Sequence, residues 1–182
     1  MENYLDYNFL AQKAHENAIK HGFWDERRSS EHCLMLIVTE ISEIVEADRK
    51  GRHADIEKFK ALQSVVDDFT IAFESHIKNS IEDEMANVVI RLADQAGAEG
   101  IDFDKMLPSR YYRTFGNYSL TENAFALVKG LCKETINLHK RIQWGLQYVR
   151  SWADSMHINL AWHIEQKMRF NATRERKHGK QY

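Results

Sequence analysis

The chain has one proline and eight glycines in 182 residues. Those residues are the main breakers of regular helix, so their scarcity predicts long uninterrupted helices. Its two cysteines, Cys33 and Cys132, lack the clustered spacing of a metal knuckle. Both fall in helical patterns and read as reduced core thiols. No apolar run approaches the ~18 residues a membrane span needs, so no membrane partner is expected. "MENYLDYNFLAQ" has no basic stretch leading into an apolar one, so no signal peptide is expected. Neither sign of charge dominates: the formal net charge is −2, which gives nucleic acid or an anionic lipid surface nothing global to bind. Strand-like alternation and dense β-branched runs are missing too. These absences leave an all-α, cytoplasmic protein, long enough for one domain with a real core.

Helical periodicity covers residues 4–21, with Leu5, Phe9, Ala14 and Ile19 among its apolar positions, and Gly22 is a stop signal. Ser29 or Ser30 caps a second helix that runs to about Lys50. One or two helices fill 54–79, with Phe59, Leu62, Val65, Val66, Phe69, Ile71 and Phe73 as core candidates. "VVIRLADQAGA" marks a helix from about Ile81 to Ala98, ended by "GAEG". Pro108 sits in an aromatic connection. Ser119 or Thr121 then caps helices over roughly 121–156, and another covers about 160–172. Leu127, Leu131, Ile136, Leu138, Trp144, Trp152 and Trp162 give this half its apolar surface. A weak internal echo lays 88–106 on 147–168, with Ala93-Asp94 on Ala153-Asp154, Glu84 on Trp144 and a short indel before Ile101 and Ile158.

The chemistry sits on acids inside apolar helices. Residues three apart on a helix lie about 60° apart around its axis, so Glu40 and Glu43 can aim at one point. Glu84 and Asn87 repeat that spacing, and Arg91 and Asp94 follow within roughly an 80° arc. An E-x-x-E on a helix is ordinarily a solvated face. Here the second helix is almost wholly apolar otherwise, so it is buried and carries its acids with it. Mutually repelling buried carboxylates need a cation or a base to compensate them. Glu40, Glu43, Glu84 and Asn87 all offer oxygen, which suits Mg²⁺ or Mn²⁺ rather than zinc. Glu46 and Glu82 read as exposed, and Asp67-Asp68 as surface or a helix cap. Arg91 reads as an internal partner of Glu84 or Asp94, with a phosphate role as the alternative. Trp24 is a base-stacking candidate or, equally, a core or lid residue.

Three blocks in order, "HGFWDERRSSEHCLMLIVTEISEIVEADRKGR", "IEDEMANVVIRLADQAGAEGID" and "NATRERKHGK", resemble the signature regions of the MazG-like nucleotide pyrophosphohydrolases. These belong to the all-α NTP pyrophosphatase superfamily. The resemblance covers about 1–106 and 165–182, and leaves 107–164 as an insertion or a degenerate repeat within one all-helical domain, 1–182. It implies a homodimer or higher oligomer that uses Mg²⁺ to hydrolyse a nucleoside triphosphate to the monophosphate and pyrophosphate. Glu40 and Glu43 match the first glutamate pair and Glu84 the next glutamate. Asn87 stands where the family has aspartate, and its amide can ligate a cation but brings no charge.

By the same resemblance Glu40, Glu43, Glu84 and Asn87 hold the metal, Glu43 or another glutamate takes a proton from water, and Asp94 is a possible substitute acid. Lys167, Asn171, Arg174, Lys177 and His178 match the closing block, where basic groups would bind phosphate oxygens. The plain alternative for that block is a disordered basic tail. A rival for the whole chain is a non-catalytic relative that binds nucleotide, or only helical partners, through a decayed metal site.

Overall fold

The computed structural model describes residues 5–66, 68–105, 114–179 and 181. Among them are eight α-helices and no strand. They are α1 (Tyr7–Lys20), α2 (Ser30–Arg49), α3 (Ile56–Val65), α4 (Phe69–His76), α5 (Ile81–Ala98), α6 (Leu120–Leu131), α7 (Leu138–Ser155) and α8 (Leu160–Thr173).

Side-chain caps set where these helices begin. Asp6, Ser29, Asp55, Asp68, Ser80, Ser119, Asn137 and Asn159 each accept from a backbone N–H of the first turn. Such caps satisfy donors that a helix start leaves unpaired. Ser119 and Glu122 close a reciprocal capping box. Gly22, Gly51 and Gly100, all at positive φ, follow the ends of α1, α2 and α5. Asp68 is thus a cap as expected, whereas Asp67 and Pro108 lie outside the described residues.

Helix α5 is the axis of the fold. Twelve of its residues are buried, and α1, α2, α7 and α8 all pack against it. Helix α6 leans on both α2 and α7. The approach of α1 is close because α1 presents alanines: Ala11, Ala14 and Ala18 are buried. At Gly97 of α5 a Cβ would lie 2.7 Å from the Ala11 carbonyl oxygen and 2.6 Å from His15 Cβ. A second cluster, Phe59, Phe69, Phe73, Ile77 and Phe170, ties the α3–α4 pair to α8. In it Phe73 and Phe170 stack with centroids 4.5 Å apart.

Periodicity misjudges several single positions. Phe9 and Ile19 are exposed, because α1 buries its Leu10 and alanine stripe instead. Val65 and Ile71 are exposed too, since the short α3 and α4 bury only Phe59, Phe69, Ala72 and Phe73. Ile136 lies exposed in the turn before α7. Cys33 is half-buried, but Cys132 is exposed at the C-cap of α6, so it is no core thiol. Glu82 is partly buried rather than solvated: its carboxylate accepts from the Ala54 N–H and contacts His53.

The ends of α5 and α7 close alike, but so do those of α1 and α2, where the Phe23 and Arg52 N–H groups bond the Ala18 and Ala47 carbonyls, so this common helix ending does not test the internal echo. At the end of α5 the Ile101 N–H bonds the Ala96 carbonyl at 3.0 Å, and at the end of α7 the Ile158 N–H bonds the Ala153 carbonyl at 2.9 Å. Gly100 and His157 sit at φ 63° and 58° in the equivalent place.

Candidate functional site

Two helices supply the acid end of the site. Glu40, in the middle of α2, faces Asn87 and Arg91, which lie one turn apart on α5. The Asn87 amide donates to Glu40 Oε2, and Arg91 Nε donates to Oε1 at 3.2 Å. Glu40 is 6% exposed, so these partners compensate its burial. The partner of Arg91 is therefore Glu40 across the helix interface, not Glu84 or Asp94 on its own helix.

The other acids stand around this pair without closing on one point. Glu84, buried one turn before Asn87, has its pKa pushed up to about 7. Burial is the main cause; Asp83, Glu40 and Glu43 add to it, and Lys167 opposes it. Glu43 is exposed on α2, near enough for its charge to be felt at Glu84. Among the described residues, no group of three or more His, Cys, Asp and Glu side chains is placed to hold a metal ion. Asp94 lines the same pocket as Glu40, Asn87 and Arg91 but has other partners: its Oδ1 lies 2.8 Å from His15 Nδ1 and accepts from Trp24 Nε1 at 2.9 Å. The indole of Trp24 is thereby fixed, edge-on to His15.

The C-terminal block folds onto the same place. Asn171, on α8, is buried, and its Oδ1 has no hydrogen-bond partner. Arg174 follows at the helix end and donates to the His178 carbonyl at 3.1 Å. The Lys177 N–H bonds the His21 carbonyl at 2.7 Å, and the His178 ring packs edge-on against His21 and Phe23. Arg176 pairs with Asp25. The described part of the tail is thus strapped over the end of α1. At Gly22 a Cβ would come within 2.8 Å of Arg176 Nε, so glycine lets the strap lie close.

These contacts border a small, partly open pocket of about 50 Å³, with Glu40, Asn87, Arg91, Asp94, Asn171, Arg174 and His178 on its wall. The guanidiniums of Arg91 and Arg174 and the carboxylates of Glu40 and Asp94 line it together. Burial and the Arg91 charge lower the pKa of Arg174, against the pull of Glu40. Lys167, by contrast, is spent on structure. Its Nζ donates to Asp83 Oδ2 at 2.8 Å, and both residues are buried. Lys177 directs its Nζ to the Gln181 carbonyl at 3.3 Å.

Phe23 is a wall residue that the motifs did not mark. The Arg91 guanidinium lies 5.3 Å from the Phe23 ring centre. No family model, curated protein or solved structure matches the chain. No helix among the described residues is long and apolar enough to cross a membrane.

Carboxylate and amide oxygens are donor types that a hard cation takes, although Glu40 already gives both its oxygens to Asn87 and Arg91. Mg²⁺ is commonly held by one or two carboxylates plus substrate phosphates, not by a full protein cage. Asp83, Glu40 and Glu43 are close enough to add to the cost of ionising buried Glu84, and a dication would relieve that cost.

Proposed function

We propose that the protein is a Mg²⁺-dependent nucleotide pyrophosphohydrolase, of the all-α NTP pyrophosphatase type that its motifs resemble. It takes a nucleoside triphosphate to the monophosphate and pyrophosphate. One observation carries this reading: Arg174, from the far end of the chain, meets Arg91, Asn87 and Glu40 in one pocket. Two adjoining sets of charge result. On one side Arg91 and Arg174 stand together, and the Arg91 charge works against that of Arg174. On the other, Glu84 is buried where Asp83, Glu40 and Glu43 oppose its ionisation. A triphosphate with its divalent cation would relieve both.

Glu40, Glu43, Glu84 and Asn87 would hold the cation. When bound, it supplies charge neutralisation at phosphate and a lowered pKa for water. Arg174 and Arg91 bind phosphate oxygens and offset the charge that grows on the departing pyrophosphate. Glu43, exposed beside the buried acids, accepts the proton of the water that attacks the α-phosphorus. The His178 and Arg174 strap keeps bulk water from the phosphate end. A cytoplasmic location and a homodimeric or larger assembly belong to the same reading, with α6 and α7 as an alternative source of the helices a partner would bring.

Asn87 favours a second reading. Its amide and Arg91 already neutralise Glu40, so the pocket can bind a nucleotide without hydrolysing it. Incubation of the pure protein with a panel of NTPs and dNTPs plus Mg²⁺, with detection of pyrophosphate, separates the two. Release from at least one nucleotide supports the enzyme. No turnover by the wild type, together with vigorous turnover by Asn87→Asp, supports a decayed site.

A further inference from the structure

Three residues that line the pocket, Glu40, Asn87 and Arg91, are bonded to one another. Glu40 is buried on α2, and each of its carboxylate oxygens accepts from α5: Oε2 from the Asn87 amide, Oε1 from Arg91 Nε at 3.2 Å. An ionised carboxylate only accepts, so the first bond fixes the Asn87 amide with its N–H₂ toward Glu40. That puts amide hydrogens, which repel a cation, between the two groups. With α2 and α5 tied in this way the pocket has about 50 Å³. That is room for a few waters and not for a triphosphate.

The tie resists either kind of ion by itself. If Glu40 and Asn87 turn to a cation, Arg91 loses its carboxylate. If Arg91 turns to an anion, Glu40 stays buried with one partner in place of two. Breaking a buried pair from one side is unfavourable, because the other charge is left uncompensated. With both ions present, each released group has a new partner and the tie is opened only once. Two ligands that share such an opening bind with a positive coupling, equal in both directions.

We infer that the Glu40–Asn87–Arg91 contact is an internal latch between α2 and α5, which a divalent cation and a phosphate-like anion release together. The inference rests on the nucleotide reading above and names the regulation of that site: it answers to the cation and the phosphate as a pair and holds off either one alone. Calorimetric titration of the full chain with Mn²⁺, in the absence of nucleotide, reads the latch apart from turnover. Arg91→Met should unlatch Glu40 and bind Mn²⁺ at least roughly fivefold more tightly than the wild type, the lower end of the usual range for coupled sites. Adding Glu40→Gln should abolish that gain. Arg174→Met is the control for charge alone, because it removes an equal charge within reach of Glu40 that bonds the His178 carbonyl instead. Its gain should fall well short. In the wild type, Mn²⁺ should bind at least roughly fivefold more tightly in sulfate than in chloride of equal ionic strength, after allowance for Mn²⁺ held by sulfate in solution, since sulfate offers Arg91 its oxygens.

No gain from Arg91→Met, an equal gain from Arg174→Met, or the same wild-type affinity in both salts would overturn the latch. The comparison of salts needs no variant, so an Arg91→Met protein that fails to fold leaves the test intact. Pyrophosphate release from nucleotides with none of these gains would overturn the latch and keep the hydrolase. The gains without any pyrophosphate release would keep the latch and overturn the hydrolase. No Mn²⁺ binding by any of these proteins would overturn the latch and the proposed cation site together.

Discussion

Replacing Glu84 by glutamine should stabilise the metal-free protein at alkaline pH and leave it unchanged in acid. Glu84 is buried, and its pKa is raised from 4.5 to about 7, first by desolvation and then by Asp83, Glu40 and Glu43. A carboxyl with a raised folded-state pKa holds its proton more tightly in the native state than in the unfolded chain. Its contribution is fully present below the unfolded pKa and is lost as pH rises through the folded one. The window is therefore 4.5 to about 7. At ~1.4 kcal/mol per unit the full loss is about 3 kcal/mol. Glutamine keeps the shape and cannot ionise, so it escapes the loss.

The assay is urea unfolding of both proteins in chelator at several pH values. The quantity to follow is the difference between them, because His163, whose pKa burial lowers, gives the wild type a trend of opposite sign. The difference should be near zero below the window and grow to about 3 kcal/mol in favour of Glu84→Gln above it. Saturating Mg²⁺ above the window should close the gap by stabilising only the wild type. A difference that stays flat with pH would refute the claim that this carboxylate is held against its preference.

Lys167→Met should cost about 3–5 kcal/mol in chemical unfolding by leaving Asp83 buried and unpaired, and adding Asp83→Asn should recover most of that loss. Asn87→Asp should destabilise the metal-free protein by about 1–2 kcal/mol, by setting a second charge against Glu40, and the loss should vanish on Mg²⁺ addition in a thermal-shift titration. Arg174→Ala should lower kcat/KM for pyrophosphate release by roughly a hundredfold while unfolding stability changes little. Gly22→Ala should force the strap away from the end of α1, and proteolysis near residues 175–179 should speed up.

Much of the fold was legible because the local signals agree. Ser29 and Ser119 stand where helices need caps, and the apolar density of α5 marks Ile81–Ala98 within its observed limits. Which stripe of a helix is buried was less legible. Phe9 and Ile19 are large and apolar, yet α1 docks through alanines because Gly97 lets its backbone come near. At the site, the spacing found Glu40 and Asn87 but misjudged the partner of Arg91. Intrahelical spacing names neighbours on one rod, and the true partner lies across the gap on α2. Lys167 has the charge of a phosphate ligand, but its fate depends on Asp83, which no motif marks.

The pocket's chemistry is tested most directly by turnover in heavy-oxygen water. Wild-type protein with NTPs, dNTPs and Mg²⁺ should release pyrophosphate, with the solvent oxygen appearing in the monophosphate, as attack at the α-phosphorus requires. Label in the pyrophosphate, release of orthophosphate alone, or no consumption of any nucleotide by either the wild type or Asn87→Asp would contradict a site built to join that acid pair, those two arginines and a triphosphate.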